Sequence, residues 1–205
     1  MNFLISKTDV EKKEKPLVKP GREEAEEAVR TLLRWAGDDP SREGLIDTPS
    51  RVVRAYTEWF SGYNQNPEKI LERTFEEVAG YSEIVTLKDI RFESYCEHHL
   101  APIIGIVHVA YIPSERVVGI SKIARLVDAF SKRLQVQEKM TSQIANTLQS
   151  VLKPLGTAVL VEGEHHCMCT RGVHKTGSTM ISSAFTGNFL KKQNLKNEFY
   201  KIVGR

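Results

Sequence analysis

The sequence predicts an α+β chain, with a helical N-terminal part followed by a ββααββ unit that packs helices on one face of an antiparallel sheet. Three observations point there. Apolar residues recur at helical spacing early in the chain. Beyond Gly80, runs rich in β-branched residues and bounded by turn residues take over. Helical spacing then returns between two pairs of such runs, which suits helices laid on an antiparallel sheet. The expected organisation is a flexible arm at 1–21, a helical region at 22–80 and a mixed domain at 81–205.

Taken in order, residues up to about Pro20 are rich in Lys, Glu and Pro, too poor in apolar surface to offset the entropy of ordering. Ala25, Ala28, Val29, Leu32 and Leu33 then mark a helix, with Gly37 as its stop. Thr48-Pro49 opens a second helix, because a missing N–H costs nothing in the first turn. Val52, Val53, Tyr56, Trp59 and Phe60 form its apolar face. Arg51 falls in its first turn, where a cation opposes the helix dipole, and by itself reads as an exposed arginine. A short helix is expected from Pro67 to Val78.

Strands are expected at Ile84 to Phe92 and Ile103 to Ile112, with Pro113-Ser114-Glu115-Arg116 as the turn after the second. Ile123, Leu126, Val127 and Phe130 mark the next helix, and Met140, Ile144, Leu148 and Val151 the one after it. Pro154 and Gly156 end that pair. Strands return at Thr157 to Val161 and Ser178 to Phe185, before a final helical run from Phe189 to Val203.

Composition excludes several function classes. A net charge of +3 admits an anionic ligand but builds no basic stripe interleaved with aromatics, so nucleic acid is not an expected partner. No apolar run approaches membrane-spanning length, and the few apolar residues at the N-terminus are too short for a signal-peptide core. The cysteines number three, an odd count, and Cys167 and Cys169 are too close for a relaxed disulfide. That favours a reducing compartment where thiols serve metals or catalysis, so the cytoplasm is expected.

All three cysteines lie in two ligand-dense clusters, Cys96-Glu97-His98-His99 and His165-His166-Cys167-Met168-Cys169. A local Cys/His pair closed by a thiolate from a distant segment is a common way to assemble a tetrahedral zinc site. Two versions fit these residues. Cys96, His99, Cys167 and Cys169 would make a closed structural site. Three protein ligands would leave a position for water, which is what catalysis needs. An extended 165–169 would put His165, Cys167 and Cys169 on one face. His98 and His165 are either supports for the ligands or proton carriers beside the metal.

Five blocks then identify a resemblance. They are Thr48-Pro49-Ser50-Arg51-Val52, Cys96-Glu97-His98-His99-Leu100, Gly119-Ile120-Ser121-Lys122-Ile123-Ala124-Arg125, Gln135-Val136-Gln137-Glu138, and His165-His166-Cys167-Met168-Cys169-Thr170-Arg171-Gly172. In this order and spacing, from about Glu23 to Tyr200, the chain resembles GTP cyclohydrolase I. The resemblance implies a catalytic tunnelling fold at 81–205, in which subunits join sheets edge to edge. It further implies a homodecamer of two pentameric rings with sites between subunits. Zinc is implied on Cys96, His99 and Cys167 with water at the fourth position, and Cys169 is not required.

The implied reaction takes GTP and water to 7,8-dihydroneopterin triphosphate and formate, the entry to folate or tetrahydropterin synthesis. On that resemblance, zinc would activate the water that adds at guanine C8. The implied roles are His165 as proton donor to N7, and His98 with Ser121 on the ribose. Glu138, with help from Gln137, takes the guanine edge. Lys122, Arg125 and Arg171, joined by Arg51 of a neighbouring subunit, take the triphosphate. Spacing alone reads Lys122 and Arg125 equally well as a solvated helix face. Two other readings stay in play, a related tunnelling-fold enzyme acting on a pterin or deazapurine and a zinc-stabilised scaffold without activity. A phosphate-binding P-loop is excluded, because Gly172 to Thr179 places Ser178 where that loop needs Lys.

Overall fold

The structure, a computed structural model, describes residues 18–72, 74–75 and 83–205. Most of the expected arm, and the far end of the helix expected to reach Val78, lie outside the described residues. The chain forms two compact units that divide between Arg54 and Ala55, earlier than the boundary near Gly80 expected from texture.

In the first unit, α1 (Arg22–Trp35) carries Glu23 and Glu24 in its first turn and Arg34 in its last, the arrangement that complements a helix dipole. Helix α2 (Thr48–Trp59) crosses the division. Its end explains where the division falls. Trp59 and the following Phe60 pack on Tyr95 with ring centroids 5.0 and 5.3 Å apart, contacts of the kind that add about 0.5–1.5 kcal/mol beyond area burial. Helix α3 (Pro67–Leu71) starts on Asn66, whose side chain accepts from the backbone of Glu68 and Lys69. It stops at the fully buried Leu71, well short of Val78. The chain then forms β1 (Thr74–Phe75), paired with β4 (Val117–Val118) in a small sheet.

The main sheet is built from β2 (Val85–Cys96), β3 (Pro102–Ile112), β5 (Leu134–Gln135), β6 (Gly156–His165) and β7 (Thr179–Phe185), in the order β5-β2-β3-β6-β7. Neighbours are antiparallel except β5, which pairs parallel with the end of β2 through Tyr95 and Cys96. Strand β2 runs past the expected end at Phe92 to Cys96. A bulge between Leu87 and Ile90, with Asp89 at φ 58, shifts its register on the way.

Helices α4 (Ile120–Ser131) and α5 (Gln137–Leu152) bury Ile123, Leu126, Val127, Met140, Ile144 and Leu148 against Val107, Val109, Val159 and Val161 of the sheet. Each such side chain taken from water stabilises the fold by about 1.5–3 kcal/mol. Helices are not confined to that face, as the sequence led us to expect. The run expected as one helix breaks at Lys192 into α7 (Gly187–Lys191) and α8 (Gln193–Val203). Phe189, Phe199 and Val203 from this pair cover Ala110, Ile112, Ala158 and Leu160 on the opposite face. The reason is visible in β6, which is buried at consecutive positions from Gly156 to Gly163 and therefore needs cover on both sides.

Candidate active site

The strand register brings the two ligand clusters together. Ile103 of β3 pairs with Ser94 of β2 on one side and with His165 of β6 on the other. The last residues of β2 and β6 thus flank the start of β3, at one end of the sheet. Beyond Cys96 the chain turns tightly. Cys96 O accepts from the backbone N–H groups of His99 at 3.3 Å and Leu100 at 2.9 Å, and Leu100 takes φ 55. This turn sets Cys96 and His99 side by side, with Cys96 Sγ 3.8 Å from His99 Nδ1. The Glu97 N–H donates to Gln135 O at 3.1 Å, so β5 tethers the turn.

At the other strand end, residues 166–169 are not extended. They form a single helical turn, α6 (His166–Cys169), which undoes the expectation that His165, Cys167 and Cys169 share a face. The turn directs Cys167 toward Cys96 and His99. One ligand atom from each of these three residues lies within 4.8 Å of the other two, and among the described residues this is the group suited to a metal ion. Two ligand atoms sharing a tetrahedral zinc at ordinary bond lengths stand roughly 3.6–3.8 Å apart, so modest closure around an ion suffices.

The Cys169 thiol is engaged elsewhere, its single S–H facing three acceptors, Glu164 Oε1 at 3.3 Å, His165 O at 3.2 Å and Lys175 O at 3.5 Å. It belongs to the anchorage of the loop carrying Arg171, since Glu164 Oε1 also accepts from the Gly177 N–H at 2.9 Å.

Electrostatics agree with a cation site. Burial, followed by the neighbouring Cys96 thiol, pushes the Cys167 thiol above its ordinary pKa. Two thiolates side by side require a counter-charge, and a divalent ion reverses that penalty. The His99 ring is held on both sides, by Cys96 at Nδ1 and by Arg171 Nη1 at 2.8 Å from Nε2. His98 turns its own Nδ1 to Cys96 Sγ at 3.7 Å.

Around this centre, His165 is half-buried, and burial holds its pKa below the usual imidazole value against an opposing pull from Glu138. Glu138 is exposed in the first turn of α5. Gln137 beside it is 1% exposed and points inward, with its Oε1 2.9 Å from His165 Nε2. Ser121, Lys122 and Arg125 lie on the first turns of α4. Among the described residues neither Lys122 nor Arg125 has an ion-pair partner. Arg51 belongs to the first compact unit, where it pairs with Asp47 at 3.2 Å. Sequence reasoning missed Glu164 as the clamp of the Arg171 loop and Gln135 as the tether of the ligand turn. Glu164 had no signal beyond residue type, and Gln135, although it opens one of the matching blocks, acts through its backbone carbonyl, which the sequence does not mark.

The family profile described as GTP cyclohydrolase I matches residues 25–204. The chain belongs to the GTP cyclohydrolase I family. Curated relatives cover nearly the same length. A GTP cyclohydrolase 1 of Maricaulis maris (strain MCS10) is 59% identical over 91% of this chain and 91% of its own. One of Hyphomonas neptunium (strain ATCC 15444) is 54% identical over 100% of this chain and 99% of its own. One of Brucella canis (strain ATCC 23365 / NCTC 10854 / RM-666) is 57% identical over 90% and 87%. Among solved structures, the archaeosine synthase QueF-Like in the apo form aligns with a TM-score of 0.43 at 23% identity, over 51% of this chain and 93% of that one. In this GTP cyclohydrolase I family member, the blocks that carry the resemblance supply the metal-suited turn, the α6 corner and the cations Lys122 and Arg125 of α4.

Proposed function

We propose that this chain is a GTP cyclohydrolase that takes GTP and water to 7,8-dihydroneopterin triphosphate and formate, the first step toward folate or another tetrahydropterin. The observation that carries the reading is the grouping of Cys96, His99 and Cys167 within 4.8 Å, with Cys169 turned away, in a chain of this family. Two thiols and one imidazole suit zinc among the divalent metals. When bound, the ion supplies Lewis acidity, which brings the pKa of a water molecule to roughly 7 near the guanine C8.

The chain's own residues supply the rest. His165 moves the proton that N7 receives, since an imidazole exchanges protons near neutral pH. His98 and Ser121 serve proton transfers on the ribose as it opens, rearranges and closes. Glu138 accepts from guanine N1–H and the 2-amino group together, a match adenine lacks, and an unpaired carboxylate there rejects the wrong base strongly. Lys122, Arg125 and Arg171 hold the triphosphate, and among the described residues no carboxylate pairs with Lys122 or Arg125. Arg51 would join them from another subunit.

We further place the catalytic unit in the tunnelling fold, with ββααββ at its centre. Among the described residues β7 pairs only with β6, and a sheet edge of this kind is removed when subunits close edge to edge into a ring. Two pentameric rings stacked as a decamer are the assembly the family implies, and the free thiols fit the cytoplasm. No described helix is long and apolar enough to cross a membrane. The test is formate release from GTP, followed with and without a chelator. Release that stops with the chelator and returns with zinc supports the reading, and its absence with zinc present sinks it.

A further inference from the structure

We propose that Gln137 is a positioning residue that fixes the tautomer of His165, holding the ring proton on Nε2 and keeping Nδ1 as the nitrogen free for proton transfer. The proposal rests on the proposed cyclohydrolase reading for its consequence in catalysis, but its geometry stands independently.

The amide of Gln137 can be oriented in one way only. Its Nε2 lies 3.2 Å from Val161 O, 3.0 Å from Met180 O and 3.1 Å from Ser182 Oγ. Two of these partners are backbone carbonyls, which only accept, so the amide nitrogen must face them. Turning the amide over would set oxygen against oxygen twice in a buried place, where an unsatisfied polar group is costly. Oε1 is therefore the atom 2.9 Å from His165 Nε2, and Oε1 has no proton to give. In the neutral ring the proton must reside on Nε2, because the partner of one nitrogen decides the state of the other.

The surroundings show that this hold is built into the fold. Gln137 is 1% exposed. Ser182 Oγ is braced by Thr141 Oγ1 at 2.7 Å, and Thr141 in turn donates to Gln137 O at 2.7 Å. The room for the side chain comes from Gly163, where an added Cβ would meet Gln137 Oε1 at 2.7 Å and Ile103 Cγ2 at 3.0 Å. Gln137 thus reaches from the first turn of α5 into β6 and β7, and is occupied there. This engagement differs from the contact with the guanine base expected from the resemblance.

The test reads the ring directly. In the zinc-loaded protein with His165 labelled, ring ¹⁵N shifts should show the Nε2–H form, and the Nδ1–H form would overturn the proposal whatever the activity. Gln137→Met keeps the volume but removes the acceptor. It should mix the two tautomers and lower kcat about 10²-fold, as a misplaced reacting group does, with KM for GTP changed less than threefold. A rise in KM with kcat preserved would instead mean that Gln137 binds the base, and would overturn the proposal. Gly163→Ala leaves Gln137 in place and displaces its Oε1, so the same spectral change is expected there even if the Met variant fails to fold. An unchanged spectrum in a folded Gly163→Ala protein would also count against it. If the wild-type protein shows the Nε2–H form but makes no formate from GTP, the reaction is misassigned while the positioning role of Gln137 stands.

Discussion

His165 and His108 are two buried or half-buried histidines on neighbouring strands, and they are held in opposite ways. His165, at the end of β6, is gripped by a neutral amide and keeps one nitrogen uncommitted. His108, in the middle of β3, is 1% exposed. Its Nδ1 accepts from the Asp89 N–H at 3.2 Å, and its Nε2 faces Glu162 Oε1 at 3.4 Å. Glu162 is itself bound by the Arg205 guanidinium, with Arg205 Nε 3.0 Å from Oε1 and a second contact from Nη2 to Oε2. A neutral partner orients a ring without fixing its charge. A buried carboxylate capped by a half-exposed guanidinium makes an ionic plug. The same two strands carry both arrangements, and accessibility separates the half-buried ring proposed for proton transfer from the fully buried one.

The largest expected effect tests the reactive end. Cys167→Ser should lose bound zinc and reduce formate release to background, while Cys169→Ser should retain the metal, because its sulfur serves only backbone and Glu164 contacts. Metal content of the purified variants decides the matter, and equal loss in both would restore a closed structural site.

Next, His165→Ala should keep zinc yet slow turnover by roughly 10²–10⁴-fold, the usual share of a positioned proton carrier. Single-turnover formate release measures it, and a wild-type rate would remove the distinction between the two histidines. At the other histidine, Arg205→Ala should leave zinc binding and formate release intact but lower the urea midpoint of unfolding. Glu162 would then be buried beside His108 without its cation, although the partial exposure of Arg205 limits the loss. A stability unchanged by that substitution would show that the plug is ornamental. Smallest, Ile144→Val in the core between α5 and the sheet should cost about 0.5–1.5 kcal/mol, with kcat unaltered.

Much of this was legible beforehand, and the reasons for the gaps are specific. Ile123, Leu126, Val127 and Phe130, and then Met140, Ile144 and Leu148, announced α4 and α5 through spacing, because each helix has one buried face. Cys96, His99, Cys167 and Cys169 were legible as candidate ligands from residue type and the local pairing of the first two, and the resemblance narrowed them to Cys96, His99 and Cys167. Spacing did not show Cys169 turned away, since a helical turn and an extended run differ there only in where the chain goes after β6. Strand β5 is too short to show a period, and its pairing depends on where α4 ends. The inward pull on Gln137 needs Gly163, Val161 and Met180, which the sequence does not announce as neighbours. Cover on the second face was foreshadowed by Ala158, Val159, Leu160 and Val161, consecutive apolar residues that a one-sided strand would not carry.

The short link from β5 into α5 has a consequence for how such an enzyme can change. Gln135 O holds the turn bearing Cys96 and His99, Gln137 holds His165, and Glu138 follows at once. On the proposed reading, metal geometry, proton traffic and base choice therefore hang on one short peptide. A variant seeking a new nucleobase by shifting this backbone would disturb the chemistry in the same stroke, so altered selectivity should come from side-chain exchange at Glu138 and never from insertion or deletion around it.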